Sequence, residues 1–289
     1  MTLEQWFLNY LHTFKENKVK KSTFDFYLFR LKSFGPLLDI DIKDLNVFHI
    51  QELINKMHEK GDSFTTIKNT FSFLKQGIKK AIACGVISHD VTCGVELPRK
   101  NTKKIEALSE FEIMQFLKSE KTFYYNIFLF LLLSGVRVGE ALALDCSDID
   151  FNKHIIHINK NFYRGNITTP KTESGVRDIP LTKEIESLLD KRRKKGPLFV
   201  NSVGGRVDYG TLLTAWHRQQ KRANFKKLYG LHSLRHTFAT FLIQNGADVK
   251  TVSLILGHSD IQTTLNFYCH SSFEKKEEVL TKLPFLALV

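Results

Sequence analysis

The sequence predicts a mainly α fold with a small antiparallel β-sheet, laid out as a helical lobe followed by a mixed α/β lobe. Three observations predict it. Up to about residue 97 the apolar residues recur at spacings of three and four. A proline and a run of cations then break that rhythm. Beyond the break, two short β-branched stretches stand between further helical patterns. With 289 residues, the chain is long enough for two domains with separate cores.

Four helices account for residues 1–97. The series Trp6, Phe7, Tyr10, Leu11, Phe14 marks the first, and Phe24, Leu28, Leu31, Phe34 the second. Val47, Ile50, Leu53, Ile54, Met57 mark the third, and Ile67, Phe71, Leu74, Ile78, Ile82 the fourth. Ser22 and Ser63 stand where N-caps belong, and Gly61 and Gly85 where the last two helices would stop. Residues 98–106, with Arg99, Lys100, Lys103 and Lys104, read as an extended basic linker whose cations are candidate phosphate contacts.

The second domain, 107–289, opens with Ser109-Glu110-Phe111-Glu112, a capping box leading into Ile113, Phe116 and Leu117. Phe123–Leu133 reads as a buried helix and Val136–Leu144 as another, parted by Ser134-Gly135. His154–Ile158 and Val176–Pro180 suit a small antiparallel sheet. From Thr182 the pattern is helical again, punctuated by Gly196-Pro197, Gly246 and Gly257.

The formal charge of +12, from 42 Lys and Arg against 30 Asp and Glu, suits a polyanionic partner, although solubility alone would also account for it. The four cysteines, Cys84, Cys93, Cys146 and Cys269, form no Cys-x-x-Cys pair, so neither a zinc knuckle nor a disulfide framework is expected. The start does not resemble a signal peptide, and the most apolar run falls short of the roughly 20 residues of a membrane span. A cytoplasmic location, with no membrane partner and no cofactor, is expected.

Three segments carry candidate chemistry. In Ser134-Gly135-Val136-Arg137-Val138-Gly139-Glu140, Arg137 and Glu140 are three apart, which puts them on one helical face. Alone they read as a surface ion pair, but so apolar a helix has little exposed face, which strengthens the alternative of an arginine serving a buried anion. In Leu231-His232-Ser233-Leu234-Arg235-His236, His232 and Arg235 again share a face, where a guanidinium fork can hold two phosphate oxygens beside an imidazole that moves protons. His232 and His236 have a metal-ligand spacing, but the segment offers no carboxylate ligand and Arg235 would repel a cation, so no metal is assigned. Tyr268 follows Leu256-Gly257-His258 in a helical context and would by itself be a core or interface residue.

Taken together, these segments resemble the tyrosine recombinase (integrase) family over nearly the whole chain. Arg137 falls in the Gly-x-Arg-x-x-Glu-Ala-Leu segment, His232 and Arg235 in His-x-Leu-Arg-His, and His258 in Leu-Gly-His. Tyr268 matches the nucleophile and Glu140 the acidic residue that supports the site. Lys171, in Thr169-Pro170-Lys171-Thr172, matches the lysine of the family's β-hairpin, with Lys160 and Lys183 near enough to substitute if the hairpin were shifted.

The resemblance implies a helical core-binding, DNA-binding domain at 1–97 and a catalytic domain at 107–289. It also implies cleavage of double-stranded DNA at paired recombination sites through a 3′-phosphotyrosyl link, and strand exchange through a Holliday junction in a tetramer, without metal or ATP. Arg137, Arg235 and His258 are then assigned to the phosphoryl oxygens, His232 to the tyrosine proton and Lys171 to the leaving oxygen. Competing readings are a non-catalytic DNA-binding protein, which should have lost an arginine or the tyrosine, and a relaxing topoisomerase. Within the family the hairpin wording points to a mobile-element integrase, for which an accessory directionality factor is an expected partner, whereas the lack of an arm-binding domain before residue 1 is closer to a Xer-type chromosome-dimer resolvase. Ser271–Glu274 forms another capping box, and Val279, Leu280, Leu283, Phe285, Leu286, Leu288 and Val289 make an apolar tail suited to exchange between subunits. Deleting residues 285–289 is therefore expected to impair synapsis and cleavage in an assembly assay, and unchanged activity would remove the exchange.

Overall fold

The computed structural model describes residues 1–99, 106–170, 173–189, 195–258 and 260. The chain divides into two compact units, Met1–Lys104 and Ile105–Val289.

In the first unit, helices α1 (Leu3–Phe14), α2 (Lys21–Lys32), α3 (Val47–Glu59) and α4 (Phe64–Ala83) follow the four apolar series, with a 3-10 turn at Gly35–Asp39. Thr2 and Gln5 close a capping box on α1, and the Ser63 hydroxyl accepts from the Thr66 amide at 3.1 Å to cap α4. Ser22 is not a cap: α2 begins one residue earlier, with Lys20 in the N-cap position, so Ser22 lies inside the helix. The core is aromatic. Phe7 is fully buried, with its ring 5.0 Å from that of Phe34 and 5.1 Å from that of Phe73. Gly77 on α4 makes room for it, because a Cβ there would lie 2.2 Å from the Phe7 ring.

The second unit begins with α5 (Glu110–Lys118), where Ser109 and Glu112 form the expected capping box. Next come α6 (Tyr125–Ser134) and α7 (Val138–Ala143). The buried run is shorter than the sequence suggests: α6 starts only at Tyr125, and Phe123, ahead of it, is exposed. Strands β1 (Ile149–Asp150), β2 (Ile155–Ile158) and β5 (Arg177–Pro180) form a three-stranded antiparallel sheet in the order β1-β2-β5, with Ile156 opposite Ile179. Between β2 and β5 a separate hairpin joins β3 (Asn161–Tyr163) to β4 (Asn166–Thr168). Helices α8 (Lys183–Ser187), α9 (Tyr209–Arg222), α10 (His232–Gln244) and α11 (Val249–Leu256) complete the described chain.

Trp216 of α9, Phe116 of α5 and Phe128 of α6 are fully buried at the centre of this unit. A smaller cluster of Ala239, Ile243, Val252 and Leu256 joins α10 to α11. Among the described residues no helix is long and apolar enough to cross a membrane.

Phe7→Ala should cost about 3–5 kcal/mol, the usual penalty for emptying a buried aromatic site. Urea unfolding followed by circular dichroism would measure this, and a midpoint equal to that of the parent would contradict the packing described.

Candidate active site

α7 is short, and its N-terminal end is organised by one carboxylate. Arg137 occupies the N-cap position with extended backbone, so it precedes the helix rather than sharing a helical face with Glu140. Glu140 reaches back instead: its Oε2 accepts from the Arg137 amide at 2.8 Å and its Oε1 accepts from Arg137 Nη1 at 2.8 Å. The pair is not a surface ion pair, since the Glu140 side chain is only 3% exposed, whereas Arg137 is 38% exposed and open to a ligand.

A second arginine, which sequence reasoning did not single out, completes the pairing. Arg177 of β5 donates from Nη2 to Glu140 Oε2 at 2.9 Å and from Nη1 to Oε1 at 3.2 Å. Its signal was its register: residues two apart in a strand share a face, and Arg177 shares one with the buried Ile179. An arginine on a core-facing strand position needs a buried partner.

α10 brings His232 and Arg235. Their loop is held by Gln220, fully buried on α9, which accepts from the Tyr229 amide at 2.6 Å and donates to its carbonyl at 2.9 Å. Thr237, one turn further on, accepts the Leu108 amide at 2.8 Å. Arg235 is 4% exposed, with Nη1 on the Gly135 carbonyl at 2.9 Å and Nη2 on the Leu256 carbonyl at 2.8 Å.

The end of α11 ties these residues together. A helix C-terminus leaves carbonyls without intrahelical donors. Here three consecutive ones, on Ile255, Leu256 and Gly257, accept from Arg177 Nε at 2.6 Å, Arg235 Nη2 at 2.8 Å and Arg137 Nη2 at 3.0 Å respectively. Gly257 takes the left-handed conformation that stops the helix, at φ 66°, and a Cβ there would lie 2.6 Å from the Ser174 carbonyl oxygen. His258 follows directly and is half-buried.

The electrostatics follow from this crowding of cations. Burial alone would raise the Glu140 pKa, but hydrogen bonds and charge from Arg177, with Arg137 behind them, hold it below the usual carboxylate range. Burial first, then the charge of Arg137, lowers Arg235 to about 9, which still leaves it cationic at neutral pH. Burial, then Arg235 and Arg137, with His232 and Arg177 after them, lowers His258 to about 4. His232 keeps an exposed surface, yet partial desolvation, then Arg235 and Arg137, also lower its pKa. Both imidazoles are therefore neutral near pH 7. Three guanidinium groups around one carboxylate leave a surplus of positive charge suited to an anion.

The structure thus gathers Arg137, Glu140, Arg235, His232 and His258. Lys160 stands apart in an ion-pair cluster with Asp145 at 2.8 Å and Asp148 at 2.7 Å, which outweighs its desolvation and raises its pKa. Lys183 is exposed at the first turn of α8, outside the β3–β4 hairpin. Lys171 and Tyr268 lie outside the described residues, as do Lys100, Lys103, Lys104 and the tail 261–289; Arg99 is described and exposed. Among the described residues no group of three or more His, Cys, Asp or Glu side chains has a metal-holding arrangement.

Residues 103–275 match the model of the Phage integrase family. A tyrosine recombinase XerC-like protein of Caldanaerobacter subterraneus subsp. tengcongensis is 27% identical, covering 86% of this chain and 73% of its own length. The transposase from transposon Tn916 of Enterococcus faecalis is 27% identical over 79% of this chain, which spans 64% of that protein. Among solved structures, the Tn1549 transposon integrase in complex with transposon right end DNA superposes with a TM-score of 0.85 at 26% identity, covering 98% of this chain and 99% of that one.

The depressed histidines predict a pH dependence. The folded pKa of His258 lies below the value of about 6.5 for an unfolded chain, so between about 6.5 and 4 the unfolded state binds more protons. The contribution of His258 to stability is therefore full above pH 6.5 and is lost as pH falls through that window. An NMR titration of the free protein should find the His258 ring neutral at pH 5.5, and a midpoint at or above 6.5 would refute the cationic cluster.

Proposed function

The chain belongs to the phage integrase family and is a tyrosine-type DNA strand transferase, and from that premise we propose that Arg137, Arg235 and His258 hold a DNA phosphodiester for attack by Tyr268. The observation that carries the reading is the surplus of positive charge at the end of α11, where Arg137 is open to a ligand and Glu140 cannot neutralise all three guanidinium groups.

Attack by the tyrosine oxygen adds negative charge to the phosphoryl oxygens in the transition state, and donors already fixed around them stabilise that charge without reorganising. Arg137 and Arg235 supply guanidinium donors, and a neutral His258 supplies one N–H. Tyrosine is a weak nucleophile at its ordinary pKa of about 10. His232, kept neutral by its surroundings, accepts the phenolic proton. As the Tyr268 O–P bond forms, the bond from phosphorus to the 5′ oxygen breaks, and Lys171 donates a proton to the departing oxygen. The products are a 3′-phosphotyrosyl link and a free 5′-hydroxyl. The link retains the phosphodiester bond energy, so the reverse attack by a partner strand rejoins the DNA.

The partner is double-stranded DNA with paired recombination sites, contacted in part by the linker cations Arg99, Lys100, Lys103 and Lys104. Exchange proceeds through a Holliday junction in a tetramer whose apolar tails 279–289 pass between subunits. The biological role is integration or excision of a mobile element, aided by a directionality factor. Supporting this role are the Thr169-Pro170-Lys171 wording and the likeness to the Tn916 transposase and the Tn1549 integrase. The XerC-like relative, at the same identity, supports the chromosome-dimer resolvase as the second reading.

Nicked suicide duplexes carrying candidate sites should trap a covalent protein–DNA adduct. Tyr268→Phe is expected to abolish the adduct with DNA affinity within a few-fold of the parent, and an adduct that survives the substitution sinks the assignment.

A further inference from the structure

Arg177 has no place in the chemistry described above, yet its side chain is only 8% exposed and it makes four hydrogen bonds. Those bonds reach three segments. Nη1 and Nη2 grip both oxygens of Glu140, which in turn holds the backbone and the guanidinium of Arg137. Nε holds the Ile255 carbonyl, three residues before His258. Nη1 also holds the Gly175 carbonyl at 3.1 Å, four residues after Lys171 in the chain.

We propose that Arg177 is a positioning residue: it aligns Arg137 and His258 for the phosphate and keeps Glu140 from neutralising Arg137. This rests on the reading of the site as a phosphodiester-cleaving centre. A carboxylate buried beside one guanidinium would take most of its charge, leaving little for a substrate oxygen. With a second guanidinium in a two-pronged contact, the carboxylate is shared, and Arg137 keeps positive charge on its exposed side. The backbone contacts act on geometry. The Gly257 turn is pressed against the Arg177 guanidinium, where a Cβ would lie 2.9 Å from Nη1, so a shift of Arg177 displaces the residue that leads into His258. A displacement of about 1 Å in such a site can cost a factor of about 100 in rate.

The test compares Arg177→Lys, Arg177→Gln, Glu140→Gln and the double variant Glu140→Gln/Arg177→Gln. Each is measured for adduct formation on a nicked suicide duplex, for affinity to the same duplex and for thermal midpoint. Arg177→Gln should form adduct about 10- to 100-fold more slowly while binding DNA within about threefold of the parent. Arg177→Lys keeps the charge but has only three donors on one nitrogen, so about tenfold slowing is expected, and this variant carries the test if Arg177→Gln fails to fold.

The double variant distinguishes positioning from simple support. Removing the Glu140 charge should return Arg137 to the phosphate, so the double variant should cleave no more slowly than Arg177→Gln alone. The acid limb of the cleavage profile should also move to higher pH in Arg177→Gln, because a cation that depresses the His258 pKa is gone. Parent-like cleavage by Arg177→Lys or Arg177→Gln overturns the proposal and leaves the Tyr268 reading intact, as does a slowing matched by an equal loss of DNA binding. Multiplicative losses in the double variant also overturn it. An adduct that persists in Tyr268→Phe removes the parent reading, and the role of Arg177 with it.

Discussion

The carboxylate of Glu140 is the group on which the rest of the second unit's site depends. A buried, unpaired carboxylate costs several kcal/mol, and breaking such a pair by removing one partner typically costs about 3–5 kcal/mol. Glu140 escapes that penalty because every contact it makes is a donated hydrogen bond, two from Arg137 and two from Arg177. The arrangement satisfies the anion and leaves the cations in excess. A fold that only needed stability would balance these charges; the imbalance here suits the phosphodiester proposed above.

The second constraint is the end of α11. Helix C-termini carry exposed carbonyls and the negative end of the helix dipole, so they attract cations. Three arginines from separate parts of the chain converge on three successive carbonyls, which ties the α6–α7 turn, strand β5 and α10 to a single point. The same contacts hold guanidinium groups with like charge close together, where they would otherwise repel. His258 emerges from this knot, and its depressed pKa is the electrostatic record of its neighbours.

The far end of α7 is fixed by a parallel device. Arg206 donates to the carbonyls of Leu142, Ala143 and Leu144 at 3.0, 2.9 and 3.3 Å and pairs with Asp145, which together with Asp148 also engages Lys160. Six residues of helix are thus held by an arginine at each end, and α7 has little freedom to tilt. Lys160 is committed to this cluster, which accounts physically for why a lysine close to the hairpin in sequence is absent from the arginine site.

The sequence by itself determined the helical rhythm of the first unit, the capping box at Ser109 and the placement of the sheet around Ile156 and Ile179, because periodicity and capping are local properties. It also determined which residue types the site would use, since Arg137, Glu140, His232, Arg235 and His258 stand in recognisable short segments. Ser22 shows the limit of the local signal: a residue suited to a cap is not one when the helix starts two residues earlier than it would from that cap, with Lys20 in the N-cap position. Only the tertiary structure decided that Arg137 precedes its helix, that Arg177 shares Glu140, and that Lys160 belongs to Asp145 and Asp148. Those outcomes turn on which charge or carbonyl arrives next to a side chain, and contacts such as those of Arg177 with Glu140, 37 positions apart, and of Arg137 with Gly257, 120 apart, leave no periodic trace in the chain.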